Sequence, residues 1–218
     1  MTSEAAHAGS RIYTKSTLSI YDIYVLRFSG RFAWQCSAPL VVDFYNRYIS
    51  ANHLEVGVGT GYFLDKCRFP SYTSPLLALV DLNPNRLQGA AKRLSRYSPL
   101  AYQANALEPL SIGATGFDSA GLSYLLHSLP GSMLRKGIVF KNLKSLINKD
   151  GVVFGTTILG QGVKHNFLAR VLMKIYNSMG FFSNWDDSLP DLENILKENF
   201  REYSIQGVGC MALFVGLV

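Results

Sequence analysis

Three glycines at alternate positions, Gly57, Gly59 and Gly61, lie in the stretch Leu54-Glu55-Val56-Gly57-Val58-Gly59-Thr60-Gly61-Tyr62-Phe63. Glycines let a backbone turn sharply and approach a ligand with no Cβ in the way. The stretch begins as a short strand and ends by opening a helix, which in an open α/β sheet is the place where ligands bind. Its spacing is G-x-G-x-G, not the G-x-G-x-x-G of dinucleotide binders, and Glu55 stands two residues before the first glycine. A carboxylate there would repel a pyrophosphate and favour a cation. A second acid, Asp81, closes the apolar run Leu76 to Val80, 20 residues after Gly61. At the end of a second strand it can accept both hydroxyls of a ribose. A cationic nucleoside satisfies both demands, and S-adenosylmethionine, with its ammonium and sulfonium, is one.

The elements that must hold these residues can be read in order. His53 to Val56 is a short strand, and a short helix runs from about Gly61 to Cys67, ended by Pro70. Leu76 to Val80 is a continuous apolar run, as expected of a strand buried on both faces. Asn83 fits an N-cap and Pro84 the first turn of a helix extending to about Ser95. Further strands fit Leu100 to Gln103, Phe117 to Leu122 and Val152 to Leu159, with a helix near Met133 to Asn148. Such alternation implies an α/β, doubly wound, mostly parallel sheet. Phe200 to Val208 and Cys210 to Leu217 have only a glycine turn between them, so they must pair antiparallel. Before the sheet, Ser16 to Ile49 reads as two or three short helices, the last from about Leu40 to Tyr48. The expected organisation is one structural domain: an N-terminal helical cap over residues 1–50, then residues 51–218 with a lid insertion at about 160–190.

The 218 residues carry 48% hydrophobic and 17% charged side chains, which excludes a disordered chain and supplies one large core. The net charge of +6 permits an acidic partner without requiring one. Its basic clusters, Arg86 to Arg96 and Arg135 to Lys149, fall on outer helices and read as solvated faces, so no nucleic-acid partner is expected. Three cysteines without a C-x-x-C pair point to a reducing compartment, and four scattered histidines to no metal. The start lacks a secretory signal, and the apolar stretch Gly207 to Val218 is too short to span a membrane. The expected location is cytoplasmic. Nothing in the sequence fixes the oligomeric state.

From about His53 to Leu159 the chain resembles the class I S-adenosylmethionine-dependent methyltransferases, in particular the small-molecule branch of quinone-biosynthesis-type and natural-product enzymes. Glu55 to Gly61 resembles the family's first motif and Val80-Asp81-Leu82-Asn83 its ribose-binding acid. Phe117-Asp118-Ser119-Ala120 with Leu126-His127-Ser128-Leu129-Pro130 resembles the fourth-strand motif, and Lys149-Asp150-Gly151-Val152-Val153 the turn into the fifth strand. The resemblance implies a Rossmann-like seven-stranded sheet with an antiparallel last strand. It also implies that Gly57, Gly59, Thr60 and Gly61 pass beneath the methionine part of S-adenosylmethionine, with Glu55 near its amine. Asp81 would hold the ribose, Leu82 and Asn83 would lie beside the adenine, and Asn105-Ala106-Leu107 would hold its edge, with Asn105 where the family usually has an acid. Ser123 and Tyr124 would face the methyl group, and Tyr21 belongs to an N-terminal region that in the family closes over the cofactor.

Methyl transfer asks mainly that a nucleophile be held in line with the methyl carbon in a dry pocket. His127 is the candidate general base for an O or activated-carbon nucleophile; the alternative reading is that it holds its loop by hydrogen bonds. The aromatic and aliphatic segments Arg11 to Trp34 and Gly160 to Trp185 suit a small, largely apolar acceptor such as a secondary metabolite. The same residues are compatible with two rival functions: a protein or RNA methyltransferase, and a methyltransferase-like protein that binds a partner or catalyses a rearrangement.

Overall fold

The protein is described by a computed structural model over residues 28–70 and 75–218. Seven strands form one sheet: β1 (Asn52–Val56), β2 (Leu76–Asp81), β3 (Leu100–Gln103), β4 (Phe117–Ser123), β5 (Ile147–Ile158), β6 (Glu202–Val208) and β7 (Met211–Leu217). Their order is β3-β2-β1-β4-β5-β7-β6. The first five pair in parallel, while β7 is antiparallel to both β5 and β6, so it alone runs against the rest. The helices are α1 (Gly30–Phe32), α2 (Ala38–Tyr48), α3 (Tyr62–Lys66), α4 (Pro84–Arg93), α5 (Met133–Lys136), α6 (Ile138–Lys144), α7 (Phe167–Ser178) and α8 (Leu189–Asn199).

Alternation along the central strands divides the core between the two sheet faces. Leu54, Val56, Ala78, Val80, Ala120, Leu122 and Val153 pack on one face with Phe140, Leu143 and Ile195 from α6 and α8. Leu77, Leu79, Phe154 and Leu213 pack on the other with Val41, Phe44 and Tyr45 from α2. His53 and Glu55 point toward this second face: the ring centroid of His53 lies 5.8 Å from that of Phe154, and Glu55 bonds to Tyr45. The carboxyl ends of β1, β2 and β4 meet where strand order reverses beside β1, because β1 pairs β2 on one side and β4 on the other.

Most boundaries fall within two residues of the expectation, and two places differ by more. The helix expected near Met133 to Asn148 is broken at Gly137 into α5 and α6. A Cβ at Gly137 would lie 3.1 Å from Ile195 Cγ2, so the absence of a side chain there lets α8 approach closely. The last residues of that stretch belong to β5, which starts at Ile147 rather than Val152. Its register on β4 jumps between Phe117↔Ile147 and Ser119↔Val152. The extra residues form a bulge in which Asp150 takes φ +67° and Asn148 Nδ2 donates to Gly116 O and Asp118 Oδ1, each at 2.8 Å. Of the expected cap, residues 28–50 are described and contribute α1 and α2. The span 160–190 carries α7.

Candidate active site

The glycine turn is strapped onto the end of β2. Gly57 N donates to Val80 O at 2.8 Å, Gly61 N to Val58 O at 2.9 Å, and Gly59 N to Asp81 Oδ2 at 3.1 Å. All three glycines are left-handed, with φ of +74°, +56° and +71°, a region that costs other L-residues roughly 1–2 kcal/mol each. Their surroundings differ in a telling way. A Cβ on Gly57 would lie 2.7 Å from Leu125 Cδ1 and one on Gly61 3.2 Å from Leu94 Cδ1, whereas one on Gly59 would meet only Gly57 O, at 4.0 Å. Gly57 and Gly61 are glycines because protein packs on them; the middle of the turn borders open space into which a ligand can come down on bare backbone.

Asp81 is buried, and each carboxylate oxygen holds a backbone N–H: Oδ2 that of Gly59 and Oδ1 that of Asn83 at 2.9 Å. Burial raises its carboxyl above the usual range, opposed by Arg86 and the backbone N–H groups. Asn83 caps α4, its Oδ1 accepting from Asn85 N at 2.9 Å and Arg86 N at 3.4 Å, and Leu82 O accepts from Gln103 Nε2. The end of β3 joins this corner through Ala104 N to Asp81 O at 3.3 Å. Just beyond it, Asn105 folds into an Asx turn: Oδ1 accepts from Leu107 N at 3.1 Å and Nδ2 donates to Glu108 Oε1 at 3.0 Å. Ala106 is buried, and Asn142 Nδ2 donates to its carbonyl. Glu55, the three glycines, buried Thr60, Asp81, Leu82, Asn83 and the 105–107 turn therefore gather at the ends of three adjacent strands.

Glu55 accepts from Tyr45 Oη at 2.6 Å and contacts His53 Nε2 at 2.9 Å. Its place depends on β4: Gly121 is its register partner, and a Cβ there would run into Glu55 Oε2. Tyr45, His53 and Gly121 carry no motif of their own in the sequence. The signal available was the alternation in His53-Leu54-Glu55, which puts a histidine and an acid side by side on one strand face.

At the end of β4, Ser123 is buried and Tyr124 takes φ +59°. A bulky residue held there stores strain that the fold must offset, which marks functional sites more often than ordinary turns. The Tyr124 ring stacks on Phe63 at 5.8 Å, Phe63 stacks on Tyr45 at 5.5 Å, and Tyr124 Oη reaches Met211 Sδ at 3.4 Å. His127 is buried, edge-on to Phe182 at 4.5 Å, and its Nδ1 accepts the Ile158 N–H at 3.3 Å. Burial, and then the charge of Lys136, push His127 down to about 3. It is therefore a neutral imidazole at ordinary pH, with the Nδ1 lone pair spent on backbone and the proton on Nε2. Tyr21 lies outside the described residues.

The 160–190 segment is pinned over this end of the sheet. Lys136 Nζ, with its side chain wholly buried, donates to both carboxylate oxygens of Asp187 (2.8 and 2.6 Å) and to Ser183 O (2.7 Å). Ser183 N donates to His127 O, and Gly160 N and Gln161 N donate to Asp187 O. A cleft of about 390 Å³ opens beside the pair, lined by Ser132, Asn177, Phe182, Ser183, Trp185 and Asp187.

The parallel sheet with its reversed β7, the bare glycine turn on β1 and the buried acid on β2 together describe a nucleoside-binding methyltransferase fold. No family model matches the chain. It is 42% identical over 206 residues to demethylluteothin O-methyltransferase of Streptomyces thioluteus, covering 94% of this chain and 89% of that one. It is 36% identical over 230 residues to methyltransferase aurB of Calcarisporium arbuscula, covering 98% and 97%. Among solved structures, N-methyltransferase NodS of Bradyrhizobium japonicum WM9, in complex with S-adenosylhomocysteine, superposes with a TM-score of 0.54 at 17% identity, covering 82% of each chain. The chain belongs to the S-adenosylmethionine-dependent methyltransferases. It is an enzyme that transfers the methyl group of S-adenosylmethionine to a small molecule. Among the described residues, no helix is long and apolar enough to cross a membrane.

Proposed function

We propose that the acceptor atom is a hydroxyl oxygen on a small, largely apolar secondary metabolite. The observation that carries this reading is the 42% identity, across nearly the whole of both chains, to a protein named as an O-methyltransferase. The aromatic groups about the end of β4 (Tyr124, Phe63 and Phe182) support a flat apolar acceptor, since they offer area at little entropic cost. Glu55, Gly57, Gly59, Thr60 and Gly61 hold the methionine part of the cofactor, Asp81 the ribose, and Leu82, Asn83, Asn105, Ala106 and Leu107 the adenine. The open space over Gly59 fits that assignment. When bound, S-adenosylmethionine supplies a methyl group made electrophilic by its sulfonium.

The chain's own residues act by placement. Ser123 and Tyr124 border the transfer point, and residues 160–190, pinned by Lys136 and Asp187, close the site from water as a lid. His127 serves as a fixed neutral wall, because its acceptor nitrogen is engaged by Ile158 N–H and a base needs a free lone pair. The acceptor therefore gives up its hydroxyl proton to solvent before the site closes, and it is the resulting oxyanion that takes the methyl group. Three buried free cysteines accord with a cytoplasmic location, and the partner is the acceptor itself rather than nucleic acid.

The test supplies S-adenosylmethionine with a labelled methyl and matched panels of aromatic alcohols, amines and activated-carbon compounds. Label recovered as methyl ethers is expected. Label only on nitrogen or carbon, or none from folded protein that binds S-adenosylhomocysteine, overturns the reading.

A further inference from the structure

Behind the glycine turn runs a buried chain of polar side chains joining α2, β1, β4 and the loop between α2 and β1. Tyr45 Oη donates to Glu55 Oε1, and Glu55 Oε2 meets His53 Nε2 at 2.9 Å. His53 Nδ1 meets Ser119 Oγ at 2.7 Å, and Ser119 Oγ meets Ser50 Oγ at 2.8 Å. His53 is fully buried, Glu55 is 4% exposed, and the rings of Phe69 and Phe154 flank the imidazole. The other titratable group beside them is Cys67, whose thiol is pushed up to about 12 by burial first and then by Glu55. Burial, and then Glu55, hold the Tyr45 phenol well above its ordinary range, so it remains a donor.

Counting hydrogens along this chain fixes where they are. Ser50 Oγ donates its one hydrogen to Asn52 O at 2.7 Å, so the Ser50–Ser119 contact takes its hydrogen from Ser119. Ser119 is then spent as a donor and also accepts from Ser50 N at 2.9 Å. The remaining contact, to His53 Nδ1, must be donated by the imidazole. With Nδ1 protonated, the 2.9 Å contact between Nε2 and Oε2 has room for one hydrogen, since none would face lone pair to lone pair and two would face hydrogen to hydrogen. Glu55 and His53 therefore share one proton, and as a unit they are neutral whichever atom carries it. A buried carboxylate with no such partner would cost several kcal/mol in desolvation.

We infer that His53 is the charge partner of the cofactor-binding acid: Glu55 meets the cofactor's amine as half of a neutral pair, and its charge develops by passing the shared proton to His53. The Oε2–H bond breaks, the Nε2–H bond forms, Glu55 gains a negative and His53 a positive charge, and no proton crosses to solvent. Two of the carboxylate's four lone-pair sites are taken by Tyr45 and His53, which leaves two for the ammonium. His53 acts through Glu55 and is a positioning residue. The inference rests on the reading of Glu55 as the amine's anchor.

Nitrogen-15 NMR of histidine-labelled protein, with S-adenosylhomocysteine as the probe, tests it directly. Nδ1 of His53 should be protonated with and without the probe, while Nε2 should move to the protonated range on binding. A deprotonated Nδ1, or an Nε2 unchanged by the probe, overturns the inference, and this measurement needs no variant to fold. By calorimetry, His53→Gln should weaken S-adenosylhomocysteine binding tenfold or more. Glu55→Gln separates the two ideas. Unchanged affinity there removes Glu55 as the anchor, whereas weakened binding in Glu55→Gln with full affinity in folded His53→Gln leaves the anchor standing and removes the charge partner.

Discussion

Replacing Asp81 by Asn tests the nucleoside site with little disturbance elsewhere. The carboxylate now serves two backbone donors with two different oxygens, Gly59 N–H on Oδ2 and Asn83 N–H on Oδ1. An amide has one oxygen, so one of these N–H groups would face an NH2. A lost hydrogen bond to a charged group is worth about 1.5–3 kcal/mol. Against that, burial opposes the ionised carboxyl, as its raised position shows, and a neutral amide escapes that cost. The two effects offset each other in the folded protein, so the melting temperature should move by less than about 6 °C, the equivalent of roughly 1.5 kcal/mol at this size. Cofactor binding has no such compensation. The ribose hydroxyls lose a charged acceptor, and neutral hydrogen bonds are about half as strong as charge-assisted ones. A loss of about 1.4–2.7 kcal/mol is a tenfold to hundredfold rise in Kd. Titration calorimetry with S-adenosylhomocysteine gives the affinity and differential scanning calorimetry the stability. A folded variant with Kd within threefold of the parent would refute the ribose assignment, and one that loses stability and affinity in step would make Asp81 a strap for the turn alone.

Gly57→Ala should lower the melting temperature by about 2–8 °C, from the roughly 1–2 kcal/mol of a left-handed alanine. Adding Leu125→Ala, which removes the side chain in the way of the new methyl, should restore part of the cofactor affinity measured by calorimetry but not the backbone cost. Lys136→Met leaves Asp187 buried without its partner and should cost about 3–5 kcal/mol, or about 6–20 °C by scanning calorimetry, while Lys136→Met with Asp187→Asn should recover much of it. The folded protein binds a proton on His127 more weakly than the unfolded chain does. Stability should therefore fall as pH drops from about 6.5 toward about 3, and His127→Phe should flatten that limb of the melting profile. Asp187, pushed up to about 6 by burial first, acts with the opposite sign: its contribution falls as pH rises from about 4 to about 6, and Asp187→Asn should remove that slope.

The parts legible in the sequence are those whose signal is local. The glycine turn, Asp81 at a strand end, the Asn83-Pro84 helix start and the tight turn at Gly209 each lie within a few neighbouring residues, and each sits where the pattern places it, the last turn one residue longer because Cys210 precedes β7. What was not legible depends on partners far apart in the chain. Glu55 looked like a bare anion because Tyr45 is 10 residues away and the Ser119 that orients His53 is 66 from it. Gly137 read as helix interior because the Ile195 it admits belongs to another element. The β5 bulge is not legible because Asn148-Lys149-Asp150-Gly151 has the composition of a turn, and only pairing with β4 makes it part of a strand.

His127 and Glu55 show how burial changes what a titratable residue can do at one site. Both stood out by residue type, one as a base and one as an anion. The fold gives each a partner that fixes its proton: Ile158 N–H takes the acceptor nitrogen of His127, and His53 shares the proton of Glu55. Neither is therefore free to exchange a proton with bulk water during turnover. Such a site is suited to a reaction whose electrophile arrives already charged, because the protein needs only to place an oxygen and keep water out. The pH dependence of kcat should then follow the acidity of the acceptor's hydroxyl. Across a series of acceptors of graded acidity, the midpoint of the profile should shift with the acceptor. A midpoint that stays fixed would require a titrating base on the protein, and would return that role to a residue of this chain.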